Sequence, residues 1–255
     1  MKALVLAAGK GERLRPRTES IPKPMLDLGG RPLIHYALML LKRAGITQIA
    51  INVHHLADQI ESGLRTGHEL GLEITYAPEA TLLGTGGPLL GLRDFFGSEP
   101  FVVANSDTLM DLDLSAMIQF HRERGSIATF TLHRPQDMSA YSHLEIDREG
   151  RLRRMRLMTA GRGGGFEDFP AEPPLVPVEP YMFCGLYVCE PQVHRWMPQA
   201  LPFSSMKGVF APMVARGMPL FGYVHHGLFR TVDDLATYEK LKREFAANPA
   251  ALDGI

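Results

Sequence analysis

The chain has 255 residues, near the upper limit of one compact domain, and 45% of them are hydrophobic, enough to bury a sizeable core. Its formal net charge is −1, so no overall field favours nucleic acid or an anionic membrane, and no apolar run approaches the roughly 20 residues of a spanning helix. Lys2 precedes an apolar run that stops at Ala8 and meets Gly-Lys-Gly-Glu-Arg rather than a cleavage site, which argues against a signal peptide. Cys184 and Cys189, an odd separation apart on a strand pattern, read as buried thiols on opposite faces in a reducing cytoplasm.

Ala3–Ala8 reads as a buried strand, Pro32–Ala44 as a helix stopped by Gly45, and Gln48–Val53 as a second strand. His55–Leu70 has an amphipathic helical pattern with Asp58 and Glu61 on its wet side. Leu72–Tyr76 follows as a strand, Pro88–Phe95 as a short helix and Pro100–Ala104 as an apolar strand. Alternation of helices with fully apolar strands predicts an α/β fold, with a Rossmann-like, mostly parallel mixed sheet covered by helices on both faces. Ligands of such sheets bind beyond the strand C-termini, where the stretches after Ala8 and Ala104 lie.

Beyond residue 125 the pattern changes. Ser126–His133, His143–Ile146 and Arg151–Leu157 read as strands, the last two joined by a hairpin-like DREG turn. Thr159–Pro180, rich in Gly and Pro, reads as irregular, either a flexible excursion or a lid. Tyr181–Cys189 and Pro219–Val224 are strand candidates, Met206–Arg216 a helix, and Asp234–Ala246 a terminal helix capped by Asp233. The organisation expected is one domain over 1–255, with a nucleotide half (1–125) and an acceptor half (126–255). The doublets His54-His55 and His225-His226 do not suggest metal sites, because neighbouring strand residues point oppositely. RLRRMR (Arg151–Arg156) reads as a strand with a solvated charged face, and Trp196 as core or interface.

Three stretches bear on chemistry. LVLAAGKGERLRPRTESIPKPM (Leu4–Met25) follows a core strand with two glycines, five cationic side chains and Pro-Lys-Pro. Gly9 and Gly11 permit a sharp turn whose amides form an anion cradle. Arg13 and Lys23 supply fixed charge, and Pro16, Pro22 and Pro24 stiffen the loop. The pattern matches neither the P-loop nor the dinucleotide fingerprint, and a lone Gly-x-Gly is equally an ordinary turn. The second stretch is LLGTGGPLL (Leu82–Leu90), whose plain alternative is a glycine-rich helix entry. In the third, FVVANSDTLMDLDL (Phe101–Leu114), Asp107 stands just past a buried strand, a natural place for a Mg2+ ligand. Asp111 equally suits an N-cap for the next helix.

Together, Gly9, Gly11, Arg13, Pro16 and Thr18, followed by Pro22-Lys23-Pro24, resemble the signature of the sugar-1-phosphate nucleotidyltransferases; mannose-1-phosphate guanylyltransferases and N-acetylmuramate-1-phosphate uridylyltransferases are similar in appearance. The likeness runs through nearly the whole chain, with quality falling after about Ile146. It implies the nucleotide-diphospho-sugar transferase fold, an NTP (GTP or UTP) and a sugar 1-phosphate as partners, and Mg2+ as cofactor. It further implies nucleotide contacts at the strand end (Leu6, Ala7, Ala8), at Gly9 and Gly11, and at Glu79, Gly84, Thr85 and Gly86 near the base. Arg13 and Gly9/Gly11 would hold the triphosphate, Lys23 the α-phosphate and Asp107 the metal, with Asp233 as candidate second ligand. Tyr141, Ser142, Phe183 and Gly185 would surround the sugar phosphate. Neither nucleic acid nor membrane is an expected partner, and a homo-oligomer is left open.

The acceptor half departs from the family pattern. Leu157-Met158-Thr159 replaces Glu-Lys-Pro, Phe183 in FCGLY replaces an asparagine, and Thr231 stands where a second metal-binding aspartate is usual. N-acetylmuramate enzymes are similarly altered at Phe183. Either an unusual acceptor is held by other residues, with Arg153, Arg156 and Arg162 as candidates, or catalysis is weak or lost. The rival readings are a nucleotide- or NDP-sugar-binding regulatory homologue and a cytidylyltransferase of a non-sugar phosphate.

Overall fold

A computed structural model describes residues 1–159 and 165–248. In chain order the first elements are β1 (Lys2–Leu6), β2 (Asp27–Leu28), β3 (Arg31–Pro32), α1 (Leu33–Arg43), β4 (Gln48–Val53), α2 (Ala57–Leu64) and β5 (Glu73–Pro78). Next come α3 (Gly87–Gly91), α4 (Arg93–Phe96), β6 (Phe101–Asn105), β7 (Thr108–Met110), α5 (Leu114–Glu123), β8 (Ala128–His133), β9 (His143–Ile146) and β10 (Leu152–Met158). The remainder are β11 (Phe166–Phe169), β12 (Glu179–Cys189), α6 (Ala211–Ala215), β13 (Leu220–Val224), β14 (Phe229–Thr231) and α7 (Leu235–Ala247). The class is the expected one: α/β, with a Rossmann-like mixed sheet. The chain divides into two units, one of Met1–Leu82, Val103–Leu114 and Gly227–Ile255, the other of Leu83–Val102 and Ser115–His226.

In the first unit the strand order is β6-β1-β4-β5. β1 runs parallel to β4 with Val5 opposite Ile51, and β4 runs parallel to β5. Ala3, Leu4, Val5, Ile49 and Ile51 are fully buried, which is why these strands are apolar without alternation. α1 buries Leu33, Ile34, Leu38 and Leu41 on one stripe. It stops where Gly45, at φ 75°, donates to Lys42 O (2.9 Å) and Ile46 donates to Leu41 O (3.0 Å). The loop after β1 is seated on a second apolar cluster. Leu14, Leu26, Leu28, Leu33 and Tyr36 meet Leu109, Val232, Tyr238, Leu241 and Phe245 there. The Tyr36 and Tyr238 hydroxyls donate to Leu28 O (2.6 Å) and Asp27 O (2.7 Å), so α1 and α7 both grip the end of the loop.

In the second unit β12 pairs antiparallel with β8 and β9, β9 with β10 and β10 with β11, whereas β13 joins β8 in parallel. Phe130, Tyr187 and Phe210 form its aromatic centre, with ring centroids 4.9–5.8 Å apart. Cys184 and Cys189 are free, buried thiols on β12.

Several sequence expectations need correction. The helix predicted over His55–Leu70 ends at Leu64, because Arg65 turns to φ 52° and Gly67 to φ 78°; a separate 3₁₀ turn covers His68–Leu70. Pro88–Phe95 is two short helices, α3 and α4. Within 159–180, expected to be irregular, Phe166–Phe169 forms a strand against Met155–Met158, and β12 starts at Glu179; residues 160–164 lie outside the described residues. RLRRMR is not a solvated face: Arg154 and Arg156 both pair with Asp168, and Arg153 with Asp147 at 2.6 Å. Charge complementarity between β10 and β11 is what makes a strand of FEDF. Met206–Phe210 forms a π-helical turn ahead of α6 rather than one continuous helix. The cap of α7 is Asp234, whose Oδ1 accepts from the Thr237 amide at 2.8 Å, not Asp233.

Candidate active site

The turn after β1 is built around Gly11. At φ 62°, Gly11 is in the left-handed region, and a Cβ there would lie 2.9 Å from Thr18 Cγ2 and 3.1 Å from Lys23 Cβ. Thr18, buried, donates its hydroxyl to Gly11 O (2.8 Å); His55 Nε2 donates to Thr18 O (2.8 Å) and Gln59 to Ser20 O (2.9 Å). Arg17 meets Glu239 at 2.7 Å. These contacts fix the far side of the loop. The near side is different. A Cβ on Gly9 would meet no atom within 4 Å, and among the described residues the amides of Gly9, Lys10 and Gly11 find no hydrogen-bond acceptor. Three adjacent unpaired donors are a ready cradle for an anion.

That near side opens into a cavity of about 550 Å³ within the first unit. Leu6, Ala7, Gly9 and Gly11 line it, as do Arg13, Lys23, Asp107 and Asp233. Sequence reasoning missed its other walls, among them Lys10, Leu82, Asn105 and Ser106. Asp107 and Asp233 reach the same cavity across a long stretch of chain because β7 pairs antiparallel with β14: Thr108 faces Thr231, and the Val232 amide donates to Asp107 O at 3.1 Å.

Lys23 forms an ion pair with Asp107 Oδ2, and both side chains are largely buried. Asp107 Oδ1 is buried and finds no hydrogen-bond partner among the described residues. A buried carboxylate oxygen without a donor is costly unless something cationic meets it, so Asp107 fits a hard metal ion. Arg13, 67% exposed, stands 3.7 Å from Asp233. A pair so exposed contributes little, which leaves the guanidinium free to turn to a ligand. No cluster of three or more His, Cys, Asp or Glu with metal-holding geometry occurs among the described residues. Two carboxylates with phosphate oxygens and water are sufficient for Mg2+.

Glu79 acts on this loop from behind. Its Oε1 accepts from Asn52 Nδ2 (2.8 Å), and Asn52 Oδ1 accepts from the Ala7 amide (2.8 Å). Asn52 was not singled out, although a lone amide in the apolar run IAINV is a signal. Ala8 is buried. His54 Nδ1 donates to Glu79 O at 2.8 Å, so both residues of the first histidine doublet serve backbone carbonyls.

In the second unit the LGTGG glycines answer to Phe203. Gly84, at φ 76°, would direct a Cβ into the Phe203 carbonyl, Gly86 would direct one into its ring, and the Gly86 amide donates to Phe203 O at 3.0 Å. Thr85 Oγ1 accepts from the Ser205 amide (3.0 Å). Tyr141, Ser142 and Phe183 line a separate cavity of about 500 Å³, together with Met158 and Lys207. Gly185 provides a left-handed residue (φ 83°) where β12 shifts register against β8. Of the cations suggested for the acceptor, Arg153 and Arg156 are committed to Asp147 and Asp168, and Arg162 lies outside the described residues. Lys207 was missed.

A profile of the nucleotidyl transferase family matches residues 2–202. The chain is 36% identical over 234 residues to a UTP–glucose-1-phosphate uridylyltransferase of Synechocystis, covering 87% of this chain and 57% of that protein. It is 48% identical over 120 residues to an N-acetylmuramate alpha-1-phosphate uridylyltransferase of Neisseria meningitidis, covering 47% and 52% respectively. It therefore spans about half the length of these curated relatives. A solved Bacillus anthracis structure, provisionally assigned as a glucose-1-phosphate thymidylyltransferase, superposes with a TM-score of 0.77 at 22% identity, covering 96% of this chain and 94% of that one; it shares the fold. The profile spans the glycine loop, Lys23 and Asp107, the same residues that the geometry gathers around one cavity, and the chain belongs to the nucleotidyl transferase family.

Proposed function

We propose that the protein transfers a nucleotidyl group from an NTP to a sugar 1-phosphate, releasing pyrophosphate, with Mg2+ as cofactor. A phosphate oxygen of the acceptor bonds to the α-phosphorus as the bond to the pyrophosphate oxygen breaks. Such a step needs little covalent help; positioning and charge neutralisation carry it. The amides of Gly9, Lys10 and Gly11, with Arg13, hold the β- and γ-phosphates. Lys23 serves the α-phosphate, leaving Asp107 as the triphosphate arrives. Asp107 and Asp233 would hold the Mg2+, which when bound neutralises phosphate charge. The single observation that carries the reading is the unpartnered Asp107 Oδ1 beside Lys23 in a cavity whose far wall is a row of unpaired amides.

UTP is the preferred donor, since both relatives described above are uridylyltransferases, with GTP as the alternative. Two buried free thiols suit a cytoplasmic enzyme, and no helix among the described residues is long and apolar enough to cross a membrane. The test is pyrophosphate release from a panel of five NTPs against sugar 1-phosphates, with and without Mg2+. Release with one pair and none after chelation supports the proposal. Nucleotide binding by calorimetry with no release from any pair would replace it with a binding role without turnover.

A further inference from the structure

The second unit holds a further cavity, of about 750 Å³, which shares no lining residue with the two described above. Phe120, Val178, Tyr181, Tyr223 and Val224 give it an aromatic and aliphatic lining. Its carboxylates are engaged already: Asp147 with Arg153, Glu179 with Arg134 and, loosely at 3.9 Å, Glu149 with Arg148. Arg124, just past α5, is not. Its guanidinium stands 5.2 Å from the Phe120 ring centroid and 5.9 Å from that of Phe221, and it has no carboxylate partner among the described residues.

The segment between β11 and β12 is complementary to this cavity. Residues 170–178 read PAEPPLVPV, with prolines at 170, 173, 174 and 177. Among the described residues, 172–177 make no hydrogen bond at all. Leu175 is fully exposed and Val176 is exposed beside it, an apolar tip that nothing in the chain covers. Glu172 is exposed and has no cationic partner among the described residues. Pro177 and Val178 line the cavity, whereas Leu175, two residues earlier, faces solvent. The arm therefore leaves the rim of its own cavity and carries its tip outward, a reach of up to about 10 Å over three residues. Its prolines fix φ at four positions, so docking orders little that is not ordered beforehand.

We infer that the protein forms a two-fold dimer by exchanging these arms. Leu175 and Val176 of one copy enter the cavity of the other, and Glu172 of one copy meets Arg124 of the other. One chain carries both halves of the contact: an apolar cavity with a spare cation, and an apolar tip with a spare carboxylate. A two-fold pair satisfies both halves twice and then closes, leaving no arm free to recruit a third copy.

The test is the mass of the full chain by sedimentation velocity, over a concentration series from nanomolar to high micromolar, with Tm measured on every variant. The wild type should pass from one chain to two and no further. Leu175→Asp, at an exposed position, should keep its Tm and raise the dimer Kd at least about 100-fold, because two leucines are lost per dimer. Arg124→Glu and Glu172→Arg should each raise Kd at least about tenfold, since each sets like charges face to face twice. An equimolar mixture of these two variants should dimerise again, because both of its cross-contacts then join opposite charges. A wild type that stays monomeric throughout overturns the inference, as does a dimer indifferent to Leu175→Asp or to Glu172→Arg. A mixture that stays monomeric while both variants keep their Tm overturns the pairing of Glu172 with Arg124. Should Arg124→Glu lower Tm, the two arm variants decide alone. The readout is mass, so its outcome is independent of whether the enzyme releases pyrophosphate.

Discussion

Gly9 and Gly11 are two positions apart, yet the structure predicts opposite consequences for an added methyl group. At Gly11 alanine must adopt φ 62°, which costs about 1–2 kcal/mol for a residue with a Cβ. Its Cβ must also displace Thr18 Cγ2 at 2.9 Å and Lys23 Cβ at 3.1 Å. Neither neighbour yields freely, because Thr18 is buried and bonded to Gly11 O and Lys23 is paired with Asp107. Overpacking of this kind adds about 1–3 kcal/mol. Gly11→Ala should therefore destabilise by about 2–5 kcal/mol and lower Tm by about 5–20 °C. At Gly9 the methyl group meets nothing and φ is not left-handed. A Gly→Ala change at such a site leaves stability unchanged or raises it by about 0.4–1 kcal/mol, by restricting the unfolded chain. The methyl group would, however, project where a phosphate approaches, so the NTP KM should rise at least about tenfold, equivalent to about 1.4 kcal/mol. Thermal unfolding and steady-state kinetics on the two variants separate the effects. A Gly9→Ala enzyme with wild-type NTP affinity would refute the cradle, and a Gly11→Ala enzyme with wild-type Tm would refute the packing argument.

Asp107→Asn should keep its fold but lose about 100-fold or more in kcat, with no recovery at raised Mg2+, read by metal titration of the initial rate. Asp147, which accepts from the Glu149 and Arg151 amides and from Arg153, has its carboxyl held below the ordinary value of 3.8: burial pushes it upward, and these hydrogen bonds outweigh burial. Its contribution to stability is therefore complete above about pH 4 and is lost as pH falls through the lower folded-state value. The Tm gap between wild type and Asp147→Asn should be widest near pH 6 and close towards pH 3; a pH-independent gap would disprove the ionic role. Burial also raises both cysteine thiols. An aromatic disulfide reagent at pH 8 should therefore label neither in the folded protein and both in denaturant.

The legibility of the sequence followed the distance over which each feature is assembled. The glycine turn, Arg13 and Lys23 lie within one continuous loop, and spacing alone places them together. Asp107 was readable because it ends an apolar strand. Asp233 gained its place through the β7–β14 pair, which strands as short as TLM and FRT do not announce. The second cavity is harder still. It gathers Tyr141, Phe183 and Lys207 by strand pairing and a π-turn, and no local period marks these residues as lining one cavity. FEDF was legible in principle: its Asp168 and Glu167 neutralise cations on both sides, and the run of arginines in RLRRMR needed such a partner.

The unexpected contribution of Glu79 and Asn52 bears on where the anion cradle begins. A buried carboxylate next to a buried amide is expensive unless each is satisfied. Here Glu79 orients the Asn52 side chain so that its oxygen, not its nitrogen, meets the Ala7 amide. That amide is thereby withdrawn from any ligand. β1 is held to the register of β4 up to its last residue, and the chain is released to turn only at Gly9. On the proposed function, the first amide able to meet a phosphate therefore lies beyond Ala7. Asn52 is thus a positioning residue: its replacement by leucine would free the Ala7 amide, loosen the turn and weaken NTP binding without touching the ligand.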